Sequence, residues 1–178
     1  MSYPPGTLAP RGVVIRPVEA GEYGEPGGIT ARAPLLDGLL DFGESDAYLG
    51  EPRDVAKRAA AADVLVAVEH ESVLGGVTFV PNGGPMADLA GPGEAEIRML
   101  AVAGAARGRG AGEALVRACV DRARATEGCA RIVLSTQRTL HSAHRIHERL
   151  GFTRTPGHDR SPFPGLDDLT LLTYELTL

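Results

Sequence analysis

The segment Arg107-Gly108-Arg109-Gly110-Ala111-Gly112 places alternate glycines and two cations between an apolar run, Ile97 to Val102, and an amphipathic stretch, Glu113 to Thr126. The glycines let the backbone close on a ligand and turn its N–H groups inward, and a helix N-terminus adds unsatisfied donors and a partial positive charge. The chemistry this suits is the binding of a pyrophosphate. Arginines at that end oppose the helix macrodipole, so stability alone does not account for them, whereas a bound polyanion would. His141, His144 and His147 repeat every third residue near the C-terminus. Steps of three drift around a helix, so the outer pair diverges, and no cysteine or carboxylate cluster accompanies them. No metal site is expected.

Two familiar phosphate loops are excluded by spacing. A dinucleotide fingerprint requires a third glycine where Glu113 stands and an acid roughly twenty residues on, and neither is present. A nucleoside-triphosphate loop requires Gly-Lys-Ser/Thr at its end, which is also missing.

The elements that position the loop follow from periodicity and turn signals. Val13-Val14-Ile15-Arg16 reads as a first strand, and Glu19 to Pro34, rich in glycine and proline, as loop. Leu35 to Leu49 and Asp54 to Ala62 have helical composition, broken at Gly50 and Pro52. Val64 to Val68 and Val73 to Val80 flank a short polar turn and predict a hairpin. After the Gly/Pro loop Pro81 to Gly93 comes the strand Ala95 to Val102. In the helix that follows the glycines, Ala111, Leu115, Ala118, Cys119 and Arg122 share one face. The strand Arg131 to Ser135, a helix over Ser142 to Leu150, and strands at Phe152 to Thr155 and Leu169 to Leu176 complete the chain, the last two separated by the loop Pro156 to Asp168. This order predicts an α/β domain, a mixed central sheet with helices on both faces.

The 178 residues suffice for one domain with a sizeable core, so 1–178 is read as a single domain with a flexible N-terminus at 1–12. A net charge of −5 gives no field favouring nucleic acid or an anionic membrane. Acids dominate Glu19 to Asp54, and arginines dominate Arg107 to Arg149. One half suits a cation and the other an anion. Cys119 and Cys129 lack metal-ligand spacing and read as free thiols of a reducing compartment. No signal peptide or membrane span is evident, which predicts a soluble, cytoplasmic protein.

The glycine loop, the strand before it and a second segment downstream together resemble the GNAT superfamily of acyl-coenzyme A-dependent N-acetyltransferases. That family's pyrophosphate loop reads Arg/Gln-x-x-Gly-x-Gly/Ala, matched by Arg107-Gly108-Arg109-Gly110-Ala111-Gly112. Leu100-Ala101-Val102 looks like its hydrophobic strand, whose backbone pairs with the pantetheine arm. Ala143 and Glu148-Arg149-Leu150-Gly151-Phe152 look like its second cofactor segment, Tyr-Glu-x-Leu-Gly-Phe. The resemblance is specific over Ala95 to Phe152. It departs at His147, where the family often has a tyrosine near the coenzyme sulfur acting as general acid, and at Leu140, where it often has asparagine.

The resemblance implies acetyl-coenzyme A (acetyl-CoA) as co-substrate, no metal, and an acetyl group moved to a primary amine of a small-molecule or peptide acceptor. An amine near pKa 10 is mostly protonated at neutral pH, so its attack on a thioester needs a proton acceptor. Glu96, at the start of the cofactor strand, looks like the place where some members carry a glutamate base. Glu94 is the alternative on the same strand face. His147 is expected near the sulfur, where it could donate a proton only while charged. Donors at the thioester carbonyl, backbone N–H groups of the cofactor strand, are expected to stabilise the developing oxyanion. A catalytically silent acyl-CoA-binding module is the rival reading. The identity of the acceptor and the oligomeric state, including a homodimer, stay open.

Overall fold

The computed structural model describes residues 12–24, 55–81, 84–138, 140–161 and 170–178. The expected helix over 35–49 and the expected flexible terminus up to residue 11 lie outside them. The described elements are β1 (Val14–Pro17), α1 (Val55–Ala61), β2 (Asp63–Glu69), β3 (Ser72–Val80), β4 (Glu94–Val102), α2 (Ala111–Ala125), β5 (Arg131–Gln137), α3 (His141–Arg149), β6 (Thr153–Arg154) and β7 (Leu171–Thr177). The strands form one sheet in the order β1-β2-β3-β4-β5-β7-β6. Every pairing is antiparallel except β4 with β5. A parallel pair needs a crossover, and α2 supplies it, so its N-terminus stands beyond the C-terminal end of β4.

The predicted hairpin forms by pairing Glu69 with Ser72 around His70 and Glu71. Both turn residues have positive φ, 47° and 66°, as a two-residue loop of the strand-twist-matching kind requires. Neither is glycine, so the turn is held by the strands on either side.

The core lies between the sheet and α2. Ala111, Leu115, Ala118 and Cys119 are buried as their spacing predicts, and they pack with Val77, Phe79, Ala95, Ile97, Ile132 and Leu134. Each fully buried large aliphatic side chain contributes about 1.5–3 kcal/mol. Burial pushes the Cys119 thiol up to about 12, so it is an inert filler; both cysteines are free. α3 joins the same face through Ile146 and Leu150. The opposite face carries α1, whose buried Arg58 donates to Thr78 Oγ1 at 2.8 Å. The mixed sheet with helices on both faces is therefore as expected.

β4 changes its facing partway along. Ala95 and Ile97 point to α2, but so do Leu100 and Val102, while Ala101 joins Val66 and Val73 on the other side. The intervening Met99 has φ 55°, and the β3–β4 register shifts between Gly76 and Thr78. One extra residue in a strand makes such a bulge and flips the side chains beyond it. Gly75 accommodates the crowding: a Cβ there would stand 2.5 Å from the Ala101 carbonyl oxygen.

Candidate active site

β4 and β5 pair only from Glu94–Arg131 to Ile97–Leu134. β4 continues to Val102 and β5 to Gln137, but beyond Leu134 the two strands no longer pair. A cleft thus opens between parallel neighbours, one wall being the β4 backbone from Arg98 to Val102. That edge can take an extended, amide-bearing arm as an added strand. Leu100, Ala101 and Val102, where the sequence leads one to expect the pantetheine arm, lie on it.

At the open end of the cleft, Gly104 to Ala106 form one 3-10 turn and lead into the glycine loop. Gly108 and Gly110 have φ of 78° and 82°, a left-handed backbone that side chains rarely adopt. Gly110 is the N-cap of α2 and, lacking a side chain, leaves the first-turn amides without a side-chain acceptor. Space around Gly108 is open, while a Cβ on Gly112 would lie 3.3 Å from Ile146 Cδ1 and 3.4 Å from Val102 Cγ2. Gly112 thus lets α2, α3 and β4 meet. Ala143, one turn before Ile146, is half-buried on α3. Uncapped amides, the open space at Gly108 and an unpaired strand edge fit a pyrophosphate joined to an amide-bearing arm.

The arginines differ from the simple expectation. Arg109 forms an ion pair with Glu69 at the end of β2, so a structural partner exists for the cation that opposes the macrodipole. The residue thereby ties the loop to the hairpin, and an anion bound in the loop would share its charge with Glu69. In the first turn of α2, Glu113 is held below the usual carboxylate range by its hydrogen bond from Arg117 and by Arg149, whose Nη2 is 2.7 Å away. An acid there complements the helix dipole.

Glu96 is 2 % exposed. Its Oε2 accepts the backbone N–H groups of Asp88, Leu89 and Ala90 at 2.8, 3.0 and 3.1 Å. One oxygen thus orders the loop between β3 and β4, and Oε1, 4.0 Å from Arg98 Nε, is the one left for other chemistry. Glu94 sits at the outer end of β4, with Oε1 4.0 Å from Arg131 Nη1. Glu96 is nearer the point where the strands part. Beside it Arg98 donates to the Met86 carbonyl at 2.9 Å, and Arg160 pairs with Asp88, holding that carboxyl below its usual range.

His147 is 3 % exposed, with ring centroids 5.7 Å from Phe152 and 5.8 Å from Tyr174. Burial first, and the neighbouring His144 second, bring its pKa down to about 4. At neutral pH the ring is uncharged, so the charged donor expected from the sequence is not its resting form. Its Nδ1 has no hydrogen-bond partner among the described residues. Leu140, at the asparagine position, is the N-cap of α3 and offers no side-chain cap; the Gln137 carbonyl instead receives the Leu140 N–H at 3.1 Å and His144 Nε2 at 2.8 Å. Among the described residues no three His, Cys, Asp or Glu side chains group as metal ligands, and no helix is long and apolar enough to cross a membrane.

Sequence reading did not find Asp88, Arg98, Ser135, Gln137 or Arg160. Asp88 and Arg160 stand in loops without periodicity. The Gly75-Gly76 pair inside an apolar strand was the available signal for the bulge opposite it.

The model of the acetyltransferase (GNAT) family matches residues 35–152, more than half of the chain. No curated protein matches the chain. Among solved structures, a GCN5-related N-acetyltransferase from Kribbella flavida is 23% identical with a TM-score of 0.67, covering 94% of this chain and 98% of its own. YncA from Salmonella typhimurium, solved with its cofactor acetyl-CoA, is 23% identical with a TM-score of 0.67, at 94% and 95% coverage. The ribosomal-protein-alanine N-acetyltransferase of Brucella melitensis is 19% identical with a TM-score of 0.65, at 93% and 99% coverage. These structures share the fold, and the family model covers the glycine loop, the parted strand and the segment Glu148 to Phe152 together. The chain belongs to the GNAT family of acetyltransferases.

Proposed function

We propose that the chain, acting as a single domain, transfers the acetyl group of acetyl-CoA to a primary amine of a small-molecule or peptide acceptor by direct attack. The observation that carries this reading is the parting of β4 from β5 beside an uncapped glycine turn. Bound acetyl-CoA supplies a thioester-activated acetyl group, whose C–S bond breaks as the new C–N bond forms. Arg107 to Gly112 hold the pyrophosphate with backbone amides, Leu100 to Val102 hold the pantetheine amides, and Ala143 leaves room on α3. Glu96 takes the amine's proton at Oε1, directly or through water. The ammonium loses two protons; one returns to the leaving sulfur and the other passes through Glu96 to solvent. His147 acts as a neutral ring that hydrogen-bonds near the sulfur without donating a charge-borne proton. Attack of an amine on a thioester calls on no metal, and the free thiols of Cys119 and Cys129 support a cytoplasmic setting.

Turnover followed by release of free thiol, with calorimetry of acetyl-CoA, tests the assignment. Glu96→Gln keeps an oxygen for the three loop amides but cannot take the proton, so it is expected to lower kcat about 10²–10⁴-fold with little change in cofactor affinity. Glu96→Ala also releases the loop and is expected to lose stability as well. Equal rates in the wild type and Glu96→Gln would remove Glu96 as base, and a Glu94→Gln variant that alone lost activity would move the role there. The rival, a silent acyl-CoA-binding module, draws support from the uncharged His147; binding without thiol release on any amine would favour it.

A further inference from the structure

Ser135 Oγ, Gln137 Oε1 and Arg160 Nε, on the Glu96 face of the sheet, are buried and find no hydrogen-bond partner among the described residues. Glu96 neighbours Val133 in register, so Ser135 and Gln137, two and four residues on, continue along its face. They lie on the part of β5 that β4 no longer pairs. Arg160 is bridged to Leu171, which pairs with Gln137, and its Nη2 reaches Asp88, whose N–H is bonded to Glu96. The arginine therefore starts at β7 and ends against the loop above β4, spanning β5 where the unpartnered atoms are.

Two arginines converge here. Arg98 Nη2 is 3.9 Å from the same Asp88 Oδ2 that Arg160 engages. Nε–H and Nη2–H of a guanidinium form the edge that grips a carboxylate with two parallel bonds. Among the described residues only the Nη2 half of that edge is used in Arg160. Two acids, Glu96 and Asp88, balance the two arginines, so a zwitterion leaves the cluster neutral and a polyamine would press further cations against two guanidinium groups.

We propose that this cluster is the acceptor subsite and that its occupant is a primary amine bearing a carboxylate, of the amino-acid class. The carboxylate takes the free half of the Arg160 edge with Arg98 beside it, and the amine is held by Ser135 Oγ and the Gln137 side chain within reach of Glu96 Oε1. This rests on the acetyltransferase reading above.

The test is thiol release by the full chain with acetyl-CoA and a panel of free L-α-amino acids, each beside its carboxamide and its decarboxylated amine. At least one acid is expected to show kcat/KM at least about tenfold above its two neutralised partners. Arg160→Gln is expected to erase that preference by raising KM for the acid far more than it lowers kcat, and Arg160→Lys to restore part of it. Amides or amines acetylated as well as the acids overturn the inference, as does an Arg160→Gln variant that slows all three alike, which would mark a structural role. Bound acetyl-CoA with no carboxylate-bearing amine acetylated also overturns it. Failure of the wild type to bind acetyl-CoA in calorimetry removes the proposed function instead.

Discussion

The imidazole of His147 is enclosed by Phe152 and Tyr174, and its environment resists a positive charge. Its folded pKa of about 4 lies below the ordinary value of 6.5, so between those values the unfolded chain binds more protons than the native one. Stability from this residue is complete above pH 6.5 and is lost as the pH falls toward 4, by up to about 3 kcal/mol. Urea unfolding of the wild type is expected to weaken over that window, and His147→Phe, which keeps an aromatic ring against Phe152 and Tyr174, is expected to flatten the dependence. Parallel pH curves for the two proteins would show that the ring titrates freely. The residue also marks how far its type could be read: its place near the end of a helix was visible, whereas its charge state depended on a strand, β7, that the local sequence does not contain.

Among the elements, the glycine loop and α2 form the part most exposed to test. Gly110 combines φ 82° with the N-cap position, so Gly110→Asp sets a carboxylate and its own amide acceptor where the pyrophosphate would lie. Asp tolerates left-handed backbone better than most residues, so the fold is expected to persist. Calorimetry should find acetyl-CoA binding abolished in a variant with wild-type circular dichroism; unchanged affinity would move the cofactor elsewhere. The loop was legible because a strand, glycines and a helix occur consecutively, and the buried face of α2 because its spacing is local. The bulge at Met99 was not legible, because it arises where Gly75 and Gly76 of β3 meet β4, some twenty-five residues apart in the chain.

Across the whole molecule, β1 to β4 and β5 to β7 are joined in the sheet by only the four register positions from Glu94–Arg131 to Ile97–Leu134. A ligand filling the cleft would bridge the two halves and bind only the folded chain. At a hundred times its Kd such a ligand stabilises by about 2.7 kcal/mol. For a chain of this size that is a rise in Tm of roughly 5–10 °C, with backbone amides of Leu100 to Val102 protected from hydrogen exchange. Gly110→Asp should show neither effect. A shift of equal size in that variant would place the ligand outside the cleft.

The sequence by itself determined what is local: the order of the described strands and helices, the buried face of α2, the hairpin of β2 and β3, and the glycine loop that joins β4 to α2. Each of these is written in residues a few positions apart, where spacing, glycines and helix ends act directly. Only the tertiary structure decided what depends on distant partners. It gave Arg109 to Glu69, tied Glu96 Oε2 to three loop amides, stripped His147 of its charge, and drew Arg160 across β5 to Asp88. Hydrogen bonds and desolvation act through space, and a side chain's protonation and pairing are therefore set by whatever the fold brings within a few ångströms of it.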